Sequence, residues 1–546
     1  MTQTLRLFGV LAALTLVACS DDDNTPAPER TPSSVQLVRL SSIATGPFNE
    51  DGGGAEVPAY DPASRRAFVV NAVDATVDVV NLATPATPVK LASIDTSAFG
   101  SANSVAVSNG VLAVAIQSDD KTDPGVVAFY RSSDSTLIGT ATVGSLPDMV
   151  AFTPDGRYAL TANEGEPSED YSVDPEGSIS IVEVATRTVR TAGFATFNAQ
   201  AAALRTQGVR LFGPGASVAQ DLEPEYIAVS ADSKTAYATL QENNAIAVVD
   251  IDTATVTAIR PLGFKDHSLA NNGFGSSNAL DASDRDDAVN IANWPVFGVY
   301  MPDAMSSYTV GAETLLVMAN EGDARVYPTS DDAVPGLEEG DVFNEESRIK
   351  DLTLDAAAFP NAAALQADEQ IGRLNVTTTL GDTDNDGEYE QLYAFGGRSF
   401  SIRRTDGTLV WDSGDALERK IAEVNPAGFN STHSENDSAD SRSDNKGPEP
   451  EALTLATIGT KTFAFVGMER DSGLFVYDIT TPTAPLFLQY LNERDFDVED
   501  ATEAGDLGPE GLVYVKAADS PTGNPLLIVA NEISGTLTVY TIQQTF

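Results

Sequence analysis

The sequence predicts an all-β protein built as a single large β-propeller, and three observations lead to this fold class. Short apolar runs with alternating polar residues recur along the chain, as in residues 147–184. Turns rich in Gly, Pro, Asn and Asp separate them, a pattern typical of short antiparallel strands. Four such strands form a unit of roughly 40 residues that repeats, as propeller blades do. A β-sandwich is the alternative, but it does not explain a repeated internal order of motifs.

Eight copies of the unit can be delimited in the chain. They cover residues 56–94, 104–143, 147–184, 225–262, 303–354, 374–411, 451–491 and 510–540. An acidic insertion enlarges the fifth copy, and the sixth copy is the least regular. We therefore expect eight blades, or seven if residues 374–411 belong to their neighbours.

The two ends of the repeat array complement each other. The last copy has only three strands, whereas residues 35–44 form a lone strand with no blade of its own. Pairing this N-terminal strand with the C-terminal blade would close the ring and remove both exposed edges. We therefore assign residues 35–546 to the propeller.

The N-terminus has the pattern of an export signal. Arg6 precedes an apolar run over residues 7–17, which is too short to span a bilayer. The run ends in Leu-Val-Ala-Cys, which resembles the lipobox of bacterial lipoproteins. That resemblance implies that residues 1–18 are a signal peptide and that lipid is attached to Cys19. Residues 19–34 are acidic and rich in Pro and Ser, and we interpret them as a disordered tether.

Composition restricts the localisation and the partners. Ser20 follows the cysteine, so the resemblance points to the outer membrane or cell surface, with membrane contact only through the lipid. Cys19 is the only cysteine, so the mature chain forms no internal disulfide. A formal charge of -48 repels phosphate backbones, which excludes nucleic acid as a partner. We expect a monomer.

The predicted strand order places two sets of acids on one face. The first set begins the innermost strands, each directly after a proline, at Asp148, Glu225, Asp303, Glu451 and Glu510. The second set lies in the loops between second and third strands, at Glu164, Glu242, Glu321, Glu469 and Glu532. Converging carboxylates repel one another unless a cation lies among them, and oxygen ligands suit calcium or another divalent metal. We therefore name Glu225, Glu451 and Glu510 as candidate metal ligands, with Asp148 and Glu321 as further candidates. Repeated turn chemistry is the alternative.

A separate loop has the spacing of a calcium loop. Asp382, Asp384 and Asp386 alternate before Gly387, in the order D-x-D-x-D-G. The twelfth position is Tyr393 rather than a bidentate Glu, so Glu388 or Glu390 would have to substitute. An ordinary acidic turn is the alternative. A second acidic cluster surrounds Arg285, and His267 and His433 are the only histidines.

Five longer motifs carry a resemblance to a known family. They are LDASDRDDAVNIANWPVFGVYMPDA (280–304), MANEGDARVY (318–327), FGGRSFSI (395–402), FNSTHSENDSADSRSDNKGPEPEALT (429–454) and NERDFDVEDATEAGDLGPEGLVYV (492–515). They resemble the choice-of-anchor I family of secreted or surface-tethered bacterial β-propellers, whose members differ in their attachment. The resemblance implies no catalytic residues. Some relatives are labelled alkaline phosphatase-like, which leaves phosphoester chemistry open.

Two hypotheses of function follow. The first is a lipid-anchored, calcium-binding cell-surface propeller whose acidic face binds an envelope or extracellular partner. The second is a metal-dependent phosphoesterase or related hydrolase, in which Glu225, Glu451 and Glu510 hold metal. An anionic substrate would then meet an arginine, with Arg285, Arg325 and Arg470 as the candidates. The absence of a G-x-S-x-G elbow and of a free cysteine in the mature chain favours the first hypothesis.

Overall fold

A computed structural model describes residues 30–331 and 333–546. The predicted signal peptide, Cys19 and the tether up to residue 29 lie outside the described residues. The last residues of the predicted tether contact the folded domain: the Arg30 guanidinium lies 4.1 Å from the centre of the Phe546 ring. Thr31 hydrogen-bonds Thr460, and the first strand, β1 (Ser34–Ala44), begins directly afterwards. The predicted disorder therefore does not extend to residue 34.

Four regular sheets follow β1, each an antiparallel meander of four consecutive strands. Sheet 1 contains β2 (Pro58–Asp61), β3 (Arg66–Asn71), β4 (Thr76–Asn81) and β5 (Val89–Asp95), and sheet 2 contains β6 (Ser101–Ser108), β7 (Val111–Gln117), β8 (Pro124–Arg131) and β9 (Thr136–Ser145). Sheet 3 contains β10 (Pro147–Phe152), β11 (Tyr158–Asn163), β12 (Ser178–Glu183) and β13 (Val189–Gly193), and sheet 4 contains β14 (Ile227–Val229), β15 (Thr235–Leu240), β16 (Ala245–Asp250) and β17 (Thr255–Pro261). A 3-10 helix (Ala195–Gln200), α1 (Ala201–Gln207) and α2 (Val218–Asp221) lie between sheets 3 and 4.

The middle of the chain is more elaborate. Its strands are β18 (Phe264–Asp266), β19 (Phe297–Val299), β20 (Met305–Val310), β21 (Glu313–Asn320), β22 (Val326–Tyr327), β23 (Phe343–Asn344), β24 (Glu346–Arg348), β25 (Asn375–Thr377), β26 (Tyr393–Ala394), β27 (Ser399–Arg404) and β28 (Leu409–Asp412). Strands β20, β21, β27 and β28 form sheet 5. A five-stranded side sheet has the order β18-β19-β26-β25-β24, and β22 pairs with β23. A 3-10 helix (Ile349–Asp351) and α3 (Ala362–Leu365) complete this region.

Two further sheets complete the chain. After α4 (Ala416–Val424) and a 3-10 helix (Pro426–Gly428), sheet 6 contains β29 (Pro450–Ile458), β30 (Lys461–Met468), β31 (Leu474–Asp478) and β32 (Leu486–Leu491). A 3-10 helix (Ala501–Glu503) precedes sheet 7, whose own strands are β33 (Pro509–Val515), β34 (Leu526–Asn531) and β35 (Thr536–Thr545). Strand β1 is its fourth strand and pairs with β35 from Ser34 opposite Thr545 to Ala44 opposite Thr536.

The strand pairing yields seven four-stranded sheets in the described residues, not the eight that the copies suggested. The fifth and sixth copies share sheet 5, because β20 and β21 come from one and β27 and β28 from the other. Parts of the 78 residues between β21 and β27 were assigned to two different blades, although all 78 form a single excursion between a second and a third strand. The Asp382 loop therefore lies between the second and third strands of sheet 5.

The hydrophobic core is divided among the interfaces between sheets. Each neighbouring pair shares one buried cluster, as in the pairing of Phe68 and Val79 of sheet 1 with Val105 and Val114 of sheet 2. Sheet 7 likewise packs on sheet 1. The first strands contact one another in the cyclic order β2, β6, β10, β14, β20, β29, β33 and back to β2. This arrangement is that of a β-propeller. No helix in the described part of the chain is long and apolar enough to cross a membrane.

Candidate functional site

In several first strands, an interruption of the strand pairing directs one side chain towards the central channel. Register shifts interrupt the pairing of β10 between Pro147 and Val150, and of β29 between Pro450 and Leu453. A further shift follows Pro509 in β33. The acid after each of these prolines lies in the irregular segment, and such a bulge re-aims the side chain that it contains. In β6 the corresponding shift contains Asn103, so sheet 2 contributes an amide instead of an acid.

Acids of sheets 1, 3, 5 and 7 meet around a central cavity, whereas Glu225 and Glu451 are not among its lining residues. The cavity has a volume of about 580 Å³, and its polar lining includes Glu56, Asp148, Glu164, Asp303 and Glu510. Below the acids its walls are apolar, with Val105, Met149, Leu512 and Val513 among them. The described residues that line it include no Lys, Arg or His. The predicted convergence of acids from different blades is therefore present in the structure.

The carboxyls of the first strands have raised pKa values. Burial, together with the charge of Asp148, raises the pKa of Glu56 to about 8. Burial and the charge of Glu166 raise that of Asp148 to about 7. The pKa values of Glu225, Asp303, Glu451 and Glu510 are well above their usual range, first because of burial. One oxygen each of Glu225 and Glu451 is buried without a hydrogen-bond partner. An arrangement of this kind is expected to attract cations.

A second set of acids follows the second strands and extends the mouth. The Asn that ends β11, β21 or β34 holds the next acid in place, since its amide donates to the start of the following strand. In sheet 3 this bond joins Asn163 Nδ2 to the Ser178 carbonyl at 3.0 Å, and in sheet 5 it joins Asn320 Nδ2 to the Ser399 carbonyl at 2.8 Å. The acids so placed are Glu164, Glu321 and Glu532, and Glu242 and Glu469 occupy the same position in sheets 4 and 6.

The protein's own cations neutralise one sector of this second set. Glu321, Glu449 and Glu469 place carboxylate oxygens within 4.8 Å of one another. Lys446 Nζ lies 2.9 Å from Glu321 and 3.2 Å from Glu449, and Arg470 lies 3.0 Å from both Glu449 and Glu469. Although burial alone would raise it, the charges of Arg470, Lys446 and Arg442 hold the pKa of Glu449 well below its usual range. This sector is therefore an internal ion cluster, which already contains cations where a metal would bind.

The three arginines proposed as substrate ligands have different positions. Arg325 is buried, with Nη1 2.6 Å from Asp221 and Nη2 2.7 Å from Glu223. Arg470 belongs to the ion cluster just described. Arg285 is exposed and lies 3.3 Å from Asp284, in the acidic cluster outside the cavity lining. The two buried arginines are thus occupied by carboxylates of the chain itself.

The two histidines also differ. His267 is buried, its Nδ1 is 2.6 Å from the Asn278 carbonyl, and burial followed by the charge of Lys265 holds its pKa well below the usual range. His433 lies at the mouth, with Nδ1 2.8 Å from Glu469 and 2.7 Å from Arg470. A ring nitrogen of His433 and carboxylate oxygens of Glu469 and Glu532 lie within 4.8 Å of one another, an arrangement that could ligate a metal.

The Asp382 loop folds as an oxygen-rich turn. The backbone N–H groups of Asp386 and Gly387 donate to the Asp382 carboxylate at 3.1 and 3.0 Å. Asp382, Asp384 and Glu390 bring carboxylate oxygens within 4.8 Å of one another. The charge of Asp386, more than any burial, raises the pKa of Asp384. Of the two acids proposed to complete the ligand set, Glu390 faces this group. The other proposed acid, Glu388, donates its backbone N–H to the Asp386 carboxylate.

Several residues of the mouth escaped sequence reasoning. Glu56 was overlooked because it precedes Val57-Pro58, whereas the other acids follow a proline. Tyr226 lines the cavity directly after Glu225 and was treated as an ordinary strand residue. Lys446 and Glu449 lie in the long loop before β29, where no periodic pattern assigns a direction to a side chain. A repeat alignment that included positions next to the acids would have found Glu56 and Tyr226.

The seven sheets and their acidic mouth define a β-propeller with an anionic central channel. A family model described as the Choice-of-anchor I domain matches residues 56–482. The chain therefore belongs to the choice-of-anchor I domain family, as its motifs had suggested. Membership indicates an exported or surface-anchored protein.

Individual proteins resemble parts of the chain. Gigasin-3a of Magallana gigas is 33% identical over 192 residues, which cover 33% of this chain and 67% of that protein. Mesenchyme-specific cell surface glycoprotein of Strongylocentrotus purpuratus is 29% identical over 224 residues, or 37% of this chain and only 28% of that protein. The WD40 domain of coronin from Toxoplasma gondii superimposes with a TM-score of 0.45 at 8% identity, covering 95% of this chain and 89% of that one.

Proposed function

We propose that this surface propeller is anchored through lipid on Cys19, in the outer membrane or at the cell surface, and binds an envelope or extracellular partner through its acidic mouth. Calcium held by the Asp382 loop stabilises the face that carries the loop. The observation that supports this proposal best is the convergence of carboxylates from sheets 1, 3, 5 and 7 on one central cavity, whose lining in the described residues includes no Lys, Arg or His. Binding residues concentrate on loops of rigid scaffolds in this manner.

The calcium assignment rests on the loop rather than on the mouth. In the described residues, the acids that form groups of ion-ligating size include Asp382, Asp384 and Glu390, but none of Asp148, Glu225, Glu451 or Glu510. Calcium takes six to eight oxygen ligands at about 2.3–2.6 Å, so carboxylates spread around a wide channel do not suit one ion. The loop offers clustered carboxylates, which suit calcium better than a softer metal.

Titration calorimetry tests the calcium site. We expect saturable calcium binding by the purified chain, and an affinity about tenfold lower in Asp384→Asn, because that change removes one charged ligand. Asp252→Asn is the matched control, since Asp252 is exposed in the turn between β16 and β17 and has no part in the loop. No calcium heat in the wild type, with melting unchanged by chelator, would refute the calcium site.

Fractionation tests the anchor. The wild-type protein should sediment with membranes, whereas Cys19→Ser should remain in the soluble fraction because it lacks the thiol that accepts lipid. Recovery of both forms in the membrane fraction would refute lipid attachment at this cysteine.

The structure does not favour the hydrolase hypothesis. That hypothesis requires Glu225, Glu451 and Glu510 to hold a metal. It also requires an arginine to face an anionic substrate. Those glutamates belong to no ion-sized group in the described residues, and Arg325 and Arg470 are paired with carboxylates of the chain. No catalytic residues are therefore assigned.

A further inference from the structure

The central cavity combines two chemical surfaces along one axis. Its acids lie at the beginning of the first strands, and the residues that follow them on the same strands form apolar walls. On β10, Asp148 is followed by Met149, Val150 and Ala151, all of which line the cavity. Three residues of strand span about 10 Å, so the apolar section is about that long. The cavity therefore fits a molecule with a cationic end and a hydrocarbon chain.

An aromatic residue stands where the two surfaces meet. Tyr226 lines the central cavity and also a second cavity of about 330 Å³, whose walls include Ala151, Val229, Met305 and Leu455. Tyr226 lines the central cavity together with Asp148, Asp303 and Glu510, and burial, followed by the charges of these three acids, raises its pKa. An aromatic ring beside carboxylates is a favourable surround for an ammonium group.

The dimensions disfavour a small inorganic cation at this position. No three carboxylates that line the cavity bring their oxygens within 4.8 Å of one another in the described residues. A bare calcium ion would leave the apolar walls in contact with water. An ammonium donates up to three hydrogen bonds to the carboxylates nearest to it, and the aliphatic chain that it ends covers the walls.

We propose that the central cavity binds an aliphatic primary amine, with its ammonium among Glu56, Asp148, Asp303 and Glu510 and its hydrocarbon chain along the apolar walls below. This names the chemistry that the mouth recognises, and it rests on the proposed role of the mouth in partner binding. The amine can come from a free alkylamine or from a lysine side chain of a protein.

Calorimetry with a series of amines tests this proposal on the wild-type chain. Methylammonium, n-butylammonium and n-hexylammonium should bind with affinities that rise about fourfold for each methylene buried against the walls. Neutral n-hexanol, which has the same chain without the charge, should bind at least about tenfold more weakly than n-hexylammonium. Affinities that do not depend on chain length, or equal binding of n-hexanol, would overturn the proposal.

Variants then locate the binding. Asp148→Asn and Glu510→Gln should each weaken n-hexylammonium binding about tenfold, because each removes one charge-assisted hydrogen bond. Asp252→Asn, on the opposite face, should bind like the wild type. Unchanged n-hexylammonium binding in both Asp148→Asn and Glu510→Gln would overturn the proposal. If either variant fails to fold, the series of amines measured on the wild-type chain still tests it.

Two further experiments distinguish a free amine from a lysine side chain, and the central cavity from the calcium site. The peptide acetyl-Gly-Lys-Gly-amide is compared with its norleucine analogue. If the lysine peptide binds and Asp148→Asn or Glu510→Gln weakens that binding, the ligand is a protein side chain. If n-hexylammonium binds and the peptide does not, the ligand is a free amine. Asp384→Asn should lose calcium affinity and keep amine binding. Amine binding that fails while calcium still binds overturns only this inference, whereas the reverse result overturns only the calcium site.

Discussion

At the residue scale, Glu449 shows how the mouth tolerates so much buried charge. Its side chain is fully buried, and Arg442, Lys446 and Arg470 all contact its carboxylate, at 2.6, 3.2 and 3.0 Å. Its backbone is in the left-handed region, with a φ of 51°. Strain of this kind persists only where the surroundings over-determine the conformation. The ion cluster supplies that constraint, since the three cations hold the carboxylate in one place.

We therefore expect Glu449→Gln to destabilise the protein markedly. The change leaves three cations around a neutral amide, and breaking one side of a buried ion cluster costs about 3 kcal/mol or more in free energy of unfolding. Glu423→Gln, on the exposed face of α4, should change it by less than about 0.5 kcal/mol. Urea unfolding of the two variants compares them, and equal stabilities would contradict a structural role for the cluster.

At the element scale, β1 determines whether the last sheet is complete. Strand β1 supplies the fourth strand of sheet 7 although it is separated from β33 by more than 460 residues of chain. Its first side chains alternate between the core and solvent, with Val35 and Leu37 buried against Phe463 and Ile542. A strand so far along the sequence from its partner pairs there because both edges would otherwise be exposed.

The two faces of β1 provide a matched test. Leu37 is 3% exposed and Val38 is 40% exposed. Leu37→Ala should lower the free energy of unfolding by about 3 kcal/mol, since it opens a cavity between sheets 6 and 7. Val38→Ala should cost less than about 0.5 kcal/mol, because its side chain already faces water. Thermal unfolding measures both, and a small effect at Leu37 would show that β1 is dispensable.

At the scale of the whole molecule, the acidic ring links stability to pH. The pKa of Glu56 is about 8 when folded against 4.5 for an ordinary glutamate, and that of Asp148 is about 7 against 3.8. Between about pH 4 and pH 8, Glu56 and Asp148 therefore bind more protons in the folded protein than in the unfolded chain. Stability contributed by these groups is therefore complete below about pH 4, and it is lost as the pH rises towards 8.

Without added cations, we expect the free energy of unfolding to be lower at pH 8.5 than at pH 5. Glu56→Gln should show a shallower decline than the wild type, since glutamine carries no proton to lose. Asp252→Asn should follow the wild-type curve. Urea titrations across this range test the expectation, and identical slopes for Glu56→Gln and the wild type would refute the raised pKa of Glu56.

Much of this fold could be predicted from the sequence because blades are local. Sheets 1 to 4 each join four strands that follow one another, so period-two runs and turn residues are enough to place β2 to β17. Sheet 5 departs from this pattern. Its second and third strands are separated by a long insertion with a sheet of its own, and local periodicity cannot tell such an insertion from another blade. The acids after prolines lie near one another, because duplication repeats their position in five of the sheets.

The sequence by itself determined the repeated strand pattern, the family, the lone N-terminal strand and the acids that begin the innermost strands, since each depends on residues close together in the chain. Only the tertiary structure decided that Arg325 and Arg470 are paired within the protein, that Glu56 and Tyr226 join the cavity, and that no three of the first-strand acids bring their oxygens within 4.8 Å of one another in the described residues. Those outcomes depend on distances between residues from different blades. Such distances are set by how seven sheets pack around a channel, and no local pattern records them.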